Sequence, residues 1–334
     1  MKVFFKQFII AFVVFTVIMM PVQFMLNRVS EVRIFSGEEN LMDDMQVLID
    51  PNSPFFEAFQ NSQRVNVLVL GVNDGMTDTI MLGSYDMKSQ HVDVISVPRD
   101  TYYPRKGVTS PAAKKINSIY HSSKDGGAVG TATAVSNVLL GMPIHYYAVI
   151  DYKGVGNIVE ALGGVPMNIP FHMKYYDPYD KPPLRIDIPE GEQVLTKDTA
   201  IQFLRFRHAN AGSGYKSYPE GDIGRIKAQQ EFMQSAFRQA LGFNLPNVAK
   251  TVIQNVDSDL DIGIAVKIAT KAMGLSKENI QTYLTPGVPE TRNGASYWIA
   301  DDEKVKEMVE EIYSISDETA GEGEQNTENA EKEE

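Results

Sequence analysis

The pattern of hydrophobic and polar positions is clearest between residues 65 and 101, where three short apolar runs alternate with polar residues. The runs cover residues 65–72, 81–85 and 92–97, and their β-branched residues predict strands. Polar side chains gather where the runs end: Asn73, Asp74, Asp78 and Thr79 after the first, and Arg99 and Asp100 after the third. Because ligands of α/β proteins bind at strand ends, this stretch is the first candidate for a functional site.

In the rest of the chain, segments with the apolar periodicity of a helix alternate with segments that have the apolar pattern of a strand. Helices are predicted at 127–140, 155–162, 197–206, 222–241, 244–255, 262–274 and 301–313, and strands at 146–150, 165–169, 184–188 and 281–284. The Tyr- and Pro-rich residues 175–183 are expected to form an exposed loop. Strands that alternate with helices predict an α/β fold.

The N-terminus follows a different pattern, because residues 8–26 are almost wholly apolar and follow Lys2 and Lys6. As a helix this run would be about 28 Å long, against a hydrocarbon core of about 30 Å. No small-x-small cleavage site follows it, so an uncleaved transmembrane helix is favoured over the alternative, a removed signal peptide. The lysines place the N-terminus in the cytoplasm and residues from Asn27 onward outside the membrane.

Composition narrows the class of protein. A net charge of -12 and a pI near 5.0 argue against nucleic acid as a partner, and the absence of cysteine excludes disulfides and thiolate sites. We predict an anchor at 1–26, a linker at 27–62 with a short helix at 41–48, a folded domain at 63–316 and a disordered acidic tail at 317–334.

Arginine is the residue type that suggests chemistry. Four of the eleven arginines, Arg99, Arg205, Arg207 and Arg225, lie in polar clusters of an acidic chain. The planar guanidinium binds phosphate through two donors, and nearby carboxylates suit a divalent cation. Simpler roles remain open: a turn with a local ion pair at residues 98–100, interaction with helix carbonyls at Arg205 and Arg207, and an N-cap at Asp222.

The order of several short motifs makes the chain resemble the LytR–CpsA–Psr family of Gram-positive cell-wall proteins over residues 63–242. The motifs are Gly-Val-Asn-Asp at 71–74, Thr-Asp-Thr at 77–79, Ser-Val-Pro-Arg-Asp-Thr at 96–101, Lys-Ile-Asn at 115–117, Leu-Gly-Gly-Val at 162–165, Arg-x-Arg at 205–207, and Asp-x-x-Arg at 222–225 followed by Gln229 and Gln230.

The resemblance implies an α/β/α sandwich around a central mixed sheet, preceded by one N-terminal transmembrane helix in a Gram-positive type cell membrane. It implies transfer of a glycopolymer phosphate from a polyprenyl-pyrophosphate lipid to a peptidoglycan sugar hydroxyl, with Mg²⁺ (or Mn²⁺). The residues it assigns to catalysis are Asp78, Arg99, Asp100, Arg205, Arg207 and Arg225. Those assigned to substrate binding are Lys115, Asn117, Asp222 and Gln229, and those to the metal are Asn73, Asp74 and Asp78. The apolar stripes of helices 127–140 and 222–241 would line the lipid groove, or would pack into an ordinary core.

Three positions depart from the family pattern. Asn73 replaces the usual acid, Met76 replaces an arginine, and Ala228 replaces a second basic residue. Fewer charges weaken the binding of cation and anion. The alternatives are therefore a membrane-anchored lipid-binding or regulatory protein with weak or no turnover, and a pyrophosphate hydrolase.

Overall fold

A computed structural model describes residues 49–73, 75–122, 126–241 and 245–314. The predicted transmembrane helix, the short helix at 41–48 and the acidic tail lie outside these ranges. Within them, none of the helices combines the length and the apolar composition that a membrane span requires.

The elements follow one another in the order that the alternating pattern predicts. The strands are β1 (Arg64–Asn73), β2 (Met76–Asp86), β3 (His91–Ser96), β4 (Tyr146–Ile150), β5 (Val165–Ile169), β6 (Met173–Asp177), β7 (Leu184–Ile188), β8 (Gly191–Leu195), β9 (Asp257–Ser258), β10 (Ile280–Leu284), β11 (Gly287–Arg292) and β12 (Ala295–Ala300). The helices are α1 (Phe56–Gln60), α2 (Gly127–Val138), α3 (Tyr152–Ala161), α4 (Lys197–Arg205), α5 (Asp222–Leu241), α6 (Leu245–Ile253), α7 (Ile262–Lys271) and α8 (Asp302–Tyr313).

The central sheet has six strands among the described residues, in the order β10-β3-β2-β1-β4-β9. The pairs β10–β3 and β1–β4 are parallel, whereas β3–β2, β2–β1 and β4–β9 are antiparallel. The predicted α/β fold with a central mixed sheet is therefore confirmed. Three smaller sheets pair β5 with β8, β6 with β7, and β11 with β12.

The main differences from the sequence prediction concern polar strands. Asp78 and Thr79 were expected in a loop but lie within β2, which pairs with β1 through a tight hairpin. Residues 175–177 were expected in a loop but belong to β6, whose register joins Tyr175 to Ile186. Strands β8, β11 and β12 were not predicted. Tyrosine, proline and charged residues interrupt the alternation of apolar and polar residues in these segments. The strands form because each segment pairs with a neighbouring strand.

The two faces of the sheet have different surroundings: one packs against a core and the other lines a cavity. Leu68, Leu70, Ile80, Leu82 and Ile95 face a packed core shared with α1, α2 and α8. The alternate residues of β1, which include Val65, Val67 and Val69, line a cavity. Because side chains of a strand alternate between faces, one apolar run supplies both surfaces.

The packed domain begins before residue 63, where the predicted linker was expected to end. Phe55 and Phe59 are each about 5% exposed or less and belong to the core beside α8. The Phe59 ring meets the Tyr313 ring edge-on at 4.8 Å. Phe55 and Phe59 therefore attach this segment to the core beside α8.

Candidate active site at the mouth of an apolar cavity

A β-bulge in β2 positions the first acidic residue of the site. Gly71 pairs with Thr79 and Val72 pairs with Thr77, so Asp78 is the extra residue between two register positions. Because of the bulge, Asp78 and Thr79 both line the cavity, whereas adjacent residues of a regular strand face opposite sides. Gly71 permits this close approach, since a Cβ there would lie 2.9 Å from the Thr79 Cβ.

Arg99 occupies the centre of the polar cluster. Its Nη1 donates to Asp78 Oδ1 at 2.5 Å, and its Nε lies 3.8 Å from Asp222 Oδ2. Burial disfavours its charge, but Asp222 and then Asp78 outweigh this and hold the pKa of Arg99 above its usual value. The strand end at β3 thus delivers a permanently charged guanidinium between two carboxylates.

Asp222 joins three of the predicted arginines. It is the first residue of α5, and besides Arg99 it lies 2.8 Å from Arg225 Nη2 and 3.6 Å from Arg207 Nε. Asp222 lies within the helix and not at the predicted N-cap position, since the Gly221 carbonyl accepts from the Arg225 N–H. Its carboxylate instead lies close to three guanidinium groups. Asp222 therefore pairs with Arg99, Arg207 and Arg225, whereas Arg205 has a different partner.

Arg205 ends α4 and binds a residue that sequence reasoning did not select. Its Nη2 lies 2.7 Å from Asp180 Oδ2, and its guanidinium lies over the Tyr152 ring at 5.1 Å from the centroid. Burial, followed by the charge of Asp78, raises the pKa of Tyr152, whereas Arg205, Arg225 and Arg99 oppose that rise. Tyr152 is therefore the common neighbour of the cluster.

Several buried guanidinium N–H groups of the site make no well-aligned hydrogen bond, an arrangement that favours an anion. Among the described residues, Arg99 Nε and Arg225 Nε and Nη2 are buried and make no well-aligned hydrogen bond. At 2.8 Å, Arg225 Nη2 is close to Asp222, but the contact is an ion pair without hydrogen-bond alignment. Burial lowers the pKa of Arg225, and Asp222 only partly opposes this. Donors removed from water in this way gain most from phosphate oxygens.

The loop after β3 forms the rim of the site. Asp100 Oδ1 pairs with Lys115 Nζ at 3.0 Å, and the backbone N–H of Asn117 donates to the carbonyl of Arg99 at 3.2 Å. The strand β12 holds the same loop, because the N–H of Trp298 donates to the Asp100 carbonyl at 3.0 Å. Asp100, Lys115 and Asn117 thus lie beside Arg99, as their motif positions suggested.

An apolar cavity of about 490 Å³ opens beside these charges. One wall is the face of the sheet that carries Val65, Val67 and Val69. The other walls are side chains of α3, α5, α6 and α7. Asp78, Thr79, Tyr152 and Gln229 line the same cavity, and Thr79 Oγ1 donates to Gln229 Oε1 at 3.3 Å. Helix 222–241 lines the cavity as anticipated for a lipid groove, but helix 127–140 does not, because α2 packs against the opposite face.

The predicted metal ligands are only partly assembled. Asp78 lies in the cluster, Asn73 ends β1 opposite Met76, and Asp74 lies outside the described residues. No group of three His, Asp or Glu side chains with metal-binding geometry occurs within the described part. Two carboxylates, Asp78 and Asp222, do converge on Arg99. Mg²⁺ commonly binds one or two carboxylates together with substrate phosphates, so this donor set fits the ion only alongside a phosphate.

The structure brings together Arg99, Arg207, Arg225, Asp78 and Asp222, with Arg205, Gln229, Asp100, Lys115 and Asn117 around them. Sequence reasoning missed the roles of Tyr152 and Asp180. Tyr152 lies two residues after the end of β4, and this position near a strand end was the signal that was available. Asp180 gave none, because only tertiary folding brings it to Arg205.

Two of the three departures from the family pattern have distinct environments. Met76 is 43% exposed at the start of β2. Ala228 is buried and belongs to the apolar cluster of α5 with Phe232. A small apolar residue suits that packing, so the missing charge at residue 228 is replaced by core contact.

Comparisons with known proteins agree with this geometry. A family model described as the LytR_cpsA_psr family matches residues 34–314. A relative from Oceanobacillus iheyensis, named polyisoprenyl-teichoic acid–peptidoglycan teichoic acid transferase TagU, is 29% identical over 271 residues and 77% of each chain. The regulatory protein MsrR of Staphylococcus aureus is 29% identical over 61% of this chain and 59% of its own. The crystal structure of Bacillus subtilis TagV shares the fold, with a TM-score of 0.61, 23% identity, and coverage of 77% of this chain and 99% of that one.

Proposed function

The chain belongs to the LytR_cpsA_psr family, and from that membership we propose that it is a phosphotransferase. It moves a glycopolymer, with its phosphate, from a polyprenyl-pyrophosphate carrier to a sugar hydroxyl of peptidoglycan. The name of the Oceanobacillus relative supports transfer of a wall polymer to peptidoglycan. The finer chemistry is argued from the site.

One observation carries the proposal: buried guanidinium donors that make no well-aligned hydrogen bond lie at the mouth of an apolar cavity. The donors belong to Arg99 and Arg225, and the cavity has a volume of about 490 Å³. A ligand that matches both features has a doubly charged phosphate head and a long hydrocarbon tail. A polyprenyl pyrophosphate has this shape, and an apolar pocket with a few convergent polar groups is the usual form of a small-molecule site.

In the proposed reaction, the acceptor hydroxyl oxygen attacks the phosphorus that carries the glycan. The bond from that phosphorus to the oxygen bridging toward the lipid breaks, and polyprenyl phosphate leaves. Arg99, Arg205, Arg207 and Arg225 bind the phosphate oxygens, where charge develops, and Lys115 adds a cation at the rim. Such transfer depends on positioning and charge neutralisation more than on covalent chemistry.

We propose that Mg²⁺ (or Mn²⁺) accompanies the pyrophosphate. Asp78 would hold it, with Asn73, Asp74 or Asp222 as further oxygen ligands, and the ion would supply charge neutralisation. The chain's own part is to keep the Asp78 carboxylate at the cavity mouth through the bulge in β2. Metal binding to the full chain, measured by calorimetry with and without a pyrophosphate lipid, should require the lipid; equal affinity without lipid would contradict this assignment.

The acceptor proton goes to Asp78 or Asp100, two carboxylates close to Arg99. Asp78 contacts Arg99 directly, whereas Asp100 pairs with Lys115. Replacing each by asparagine separates the roles, because loss of a base lowers kcat and removes the acidic limb of its pH profile. If both variants keep the wild-type profile, neither carboxylate is the base.

A single assay distinguishes the transferase from its alternatives. The full chain is incubated with a polyprenyl-pyrophosphoryl glycan and a soluble peptidoglycan oligomer, with and without Mg²⁺, and products are identified by mass. Linked glycan supports the transferase. Free glycan phosphate alone identifies a hydrolase, and unchanged but bound lipid identifies a binding or regulatory protein, the class to which the name MsrR refers.

We also propose that residues 1–26 anchor the chain in the cell membrane and that the domain faces outward. The motivation is the apolar run behind Lys2 and Lys6. Proteinase added to intact protoplasts should cut the domain. If the domain is protected until detergent is added, the proposed topology is wrong.

A further inference from the structure

Exposed tyrosines concentrate on one surface of the domain. Among the described residues, the tyrosines with the most exposed rings are Tyr176, Tyr179 and Tyr215, at 44%, 90% and 40%. Tyr176 and Tyr179 belong to the β6–β7 hairpin, and Tyr215 belongs to the loop 206–221. We call these three residues the tyrosine surface. Grouped exposed aromatic residues are uncommon on a protein that has no use for them.

Hydrogen bonds and ring contacts hold the hairpin and the loop together. The Asn210 side chain accepts from the Tyr176 N–H at 2.8 Å and donates to the Tyr176 carbonyl at 2.9 Å. The Tyr215 ring meets the His172 ring edge-on at 5.0 Å. The N–H of Tyr179 donates to Asp177 Oδ1 at 2.9 Å. The three rings are therefore presented on an ordered scaffold.

The tyrosine surface is continuous with the proposed active site. Asp180 follows Tyr179 directly and pairs with Arg205 at 2.7 Å. Arg205 in turn lies over Tyr152, which lines the cavity mouth. A molecule that lies across the hairpin therefore reaches the arginine cluster beside the cavity.

Several charges of this surface have partners within it. Asp187 binds His172 Nε2 at 2.6 Å and Lys174 Nζ at 3.1 Å, and Arg185 lies over the Tyr176 ring at 4.9 Å. The segments 172–188 and 208–218 carry four lysine or arginine residues and three aspartates. A surface whose charges are nearly balanced offers little to a polyanion, but its ring faces and hydroxyls suit neutral sugars.

We propose that the tyrosine surface binds the glycan strand of the acceptor, a neutral chain of β-linked amino sugars. The identification of this chain as the acceptor rests on the proposed function. The C–H faces of pyranose rings stack on the electron-rich faces of tyrosine, and sugar hydroxyls exchange hydrogen bonds with the phenol oxygens. The surface thus aligns the strand so that one hydroxyl reaches the phosphate held by the arginines.

The test measures binding without turnover. The full chain in detergent is titrated with a soluble β-1,4-linked N-acetylglucosamine oligomer and, separately, with poly(glycerol phosphate). A variant carrying Tyr179→Ala and Tyr215→Ala should bind the amino-sugar oligomer about tenfold more weakly, because two stacking rings are lost. The pair Tyr179→Phe and Tyr215→Phe keeps the rings and should retain most of the affinity.

Val129→Ala is the matched control, because Val129 is 68% exposed on α2, which packs against the other face of the sheet. It should bind like the wild type. The proposal is overturned if the alanine pair also binds like the wild type, or if the wild type prefers poly(glycerol phosphate).

Transfer assays keep this inference separate from the proposed function. If the chain transfers glycopolymer and the alanine pair keeps the wild-type KM for the acceptor, the inference fails and the function stands. If the chain transfers nothing while the alanine pair loses oligomer binding, the function fails and the glycan surface stands.

Discussion

At the residue scale, Arg99 offers the sharpest test of the site. Lysine keeps the charge but loses the planar fork, so Arg99→Lys should lower kcat/KM with nearly unchanged melting temperature. Arg99→Ala should cost about 100- to 1,000-fold in rate, the usual loss for a transition-state donor. Arg238→Lys, on the exposed side of α5, is the control and should transfer normally. A folded Arg99→Ala protein with the wild-type rate would show that Arg99 serves only a turn.

His145, on the strand β4 side of the sheet, gives a prediction for pH. Its Nδ1 accepts from the Asn66 N–H at 3.0 Å, and burial lowers its pKa from 6.5 to about 4. The unfolded chain therefore binds a proton first as pH falls. The stabilising contribution of neutral His145 is complete above pH 6.5 and is lost toward pH 4, at no more than about 1.4 kcal/mol per pH unit.

Chemical unfolding at pH 7, 5.5 and 4.5 checks this dependence. The free energy of unfolding should fall less steeply with acid in His145→Gln than in the wild type, because the carboxylates titrate equally in both. Parallel curves for the two proteins would mean that His145 is not buried as a neutral ring.

At the scale of elements, the β-bulge depends on the missing side chain of Gly71. A Cβ there would press on Thr79, so Gly71→Ala should destabilise the domain by about 1–3 kcal/mol and displace Asp78. Gly83→Ala is matched, since its nearest contact, the Val67 carbonyl oxygen, lies 3.8 Å away in the same strand pair. Urea unfolding should show the loss of stability in Gly71→Ala alone, and transfer assays should show reduced activity in Gly71→Ala. Equal behaviour of the two variants would rule out a tight bulge.

The limits of sequence reasoning also appear at this scale. The apolar run 65–72 predicts a strand, and β1 contains this run. The sequence of this run does not indicate that one side faces a cavity, because valine is equally suitable in a packed core and in the lining of a cavity. The bulge at Asp78 was also beyond the pattern, since it depends on the register of β2 against β1. The arginines were recognised from their motifs, whereas Asp180 and Tyr152 join them only through the fold.

At the scale of the whole molecule, the two faces of the sheet predict opposite responses to added volume. Ala148 of β4 lines the cavity, whereas Ala134 of α2 is 1% exposed in the packed core. Ala148→Phe should leave the free energy of unfolding near the wild-type value while reducing the polyprenyl lipid extracted from the purified chain. Ala134→Phe should cost about 1–3 kcal/mol through overpacking. Clean organic extracts from the wild type, or equal destabilisation by both variants, would contradict a lipid cavity.

The cavity beside the sheet would also couple the stability of the domain to the concentration of its lipid ligand. An apolar guest that fills it binds the native chain and not the unfolded one, so its free concentration enters the folding equilibrium directly. At 100 times its dissociation constant, such a guest adds about 2.7 kcal/mol to the free energy of unfolding. The melting temperature of this domain would then depend on the concentration of carrier lipid in the surrounding membrane. In a cell depleted of carrier lipid, the same protein would be less stable.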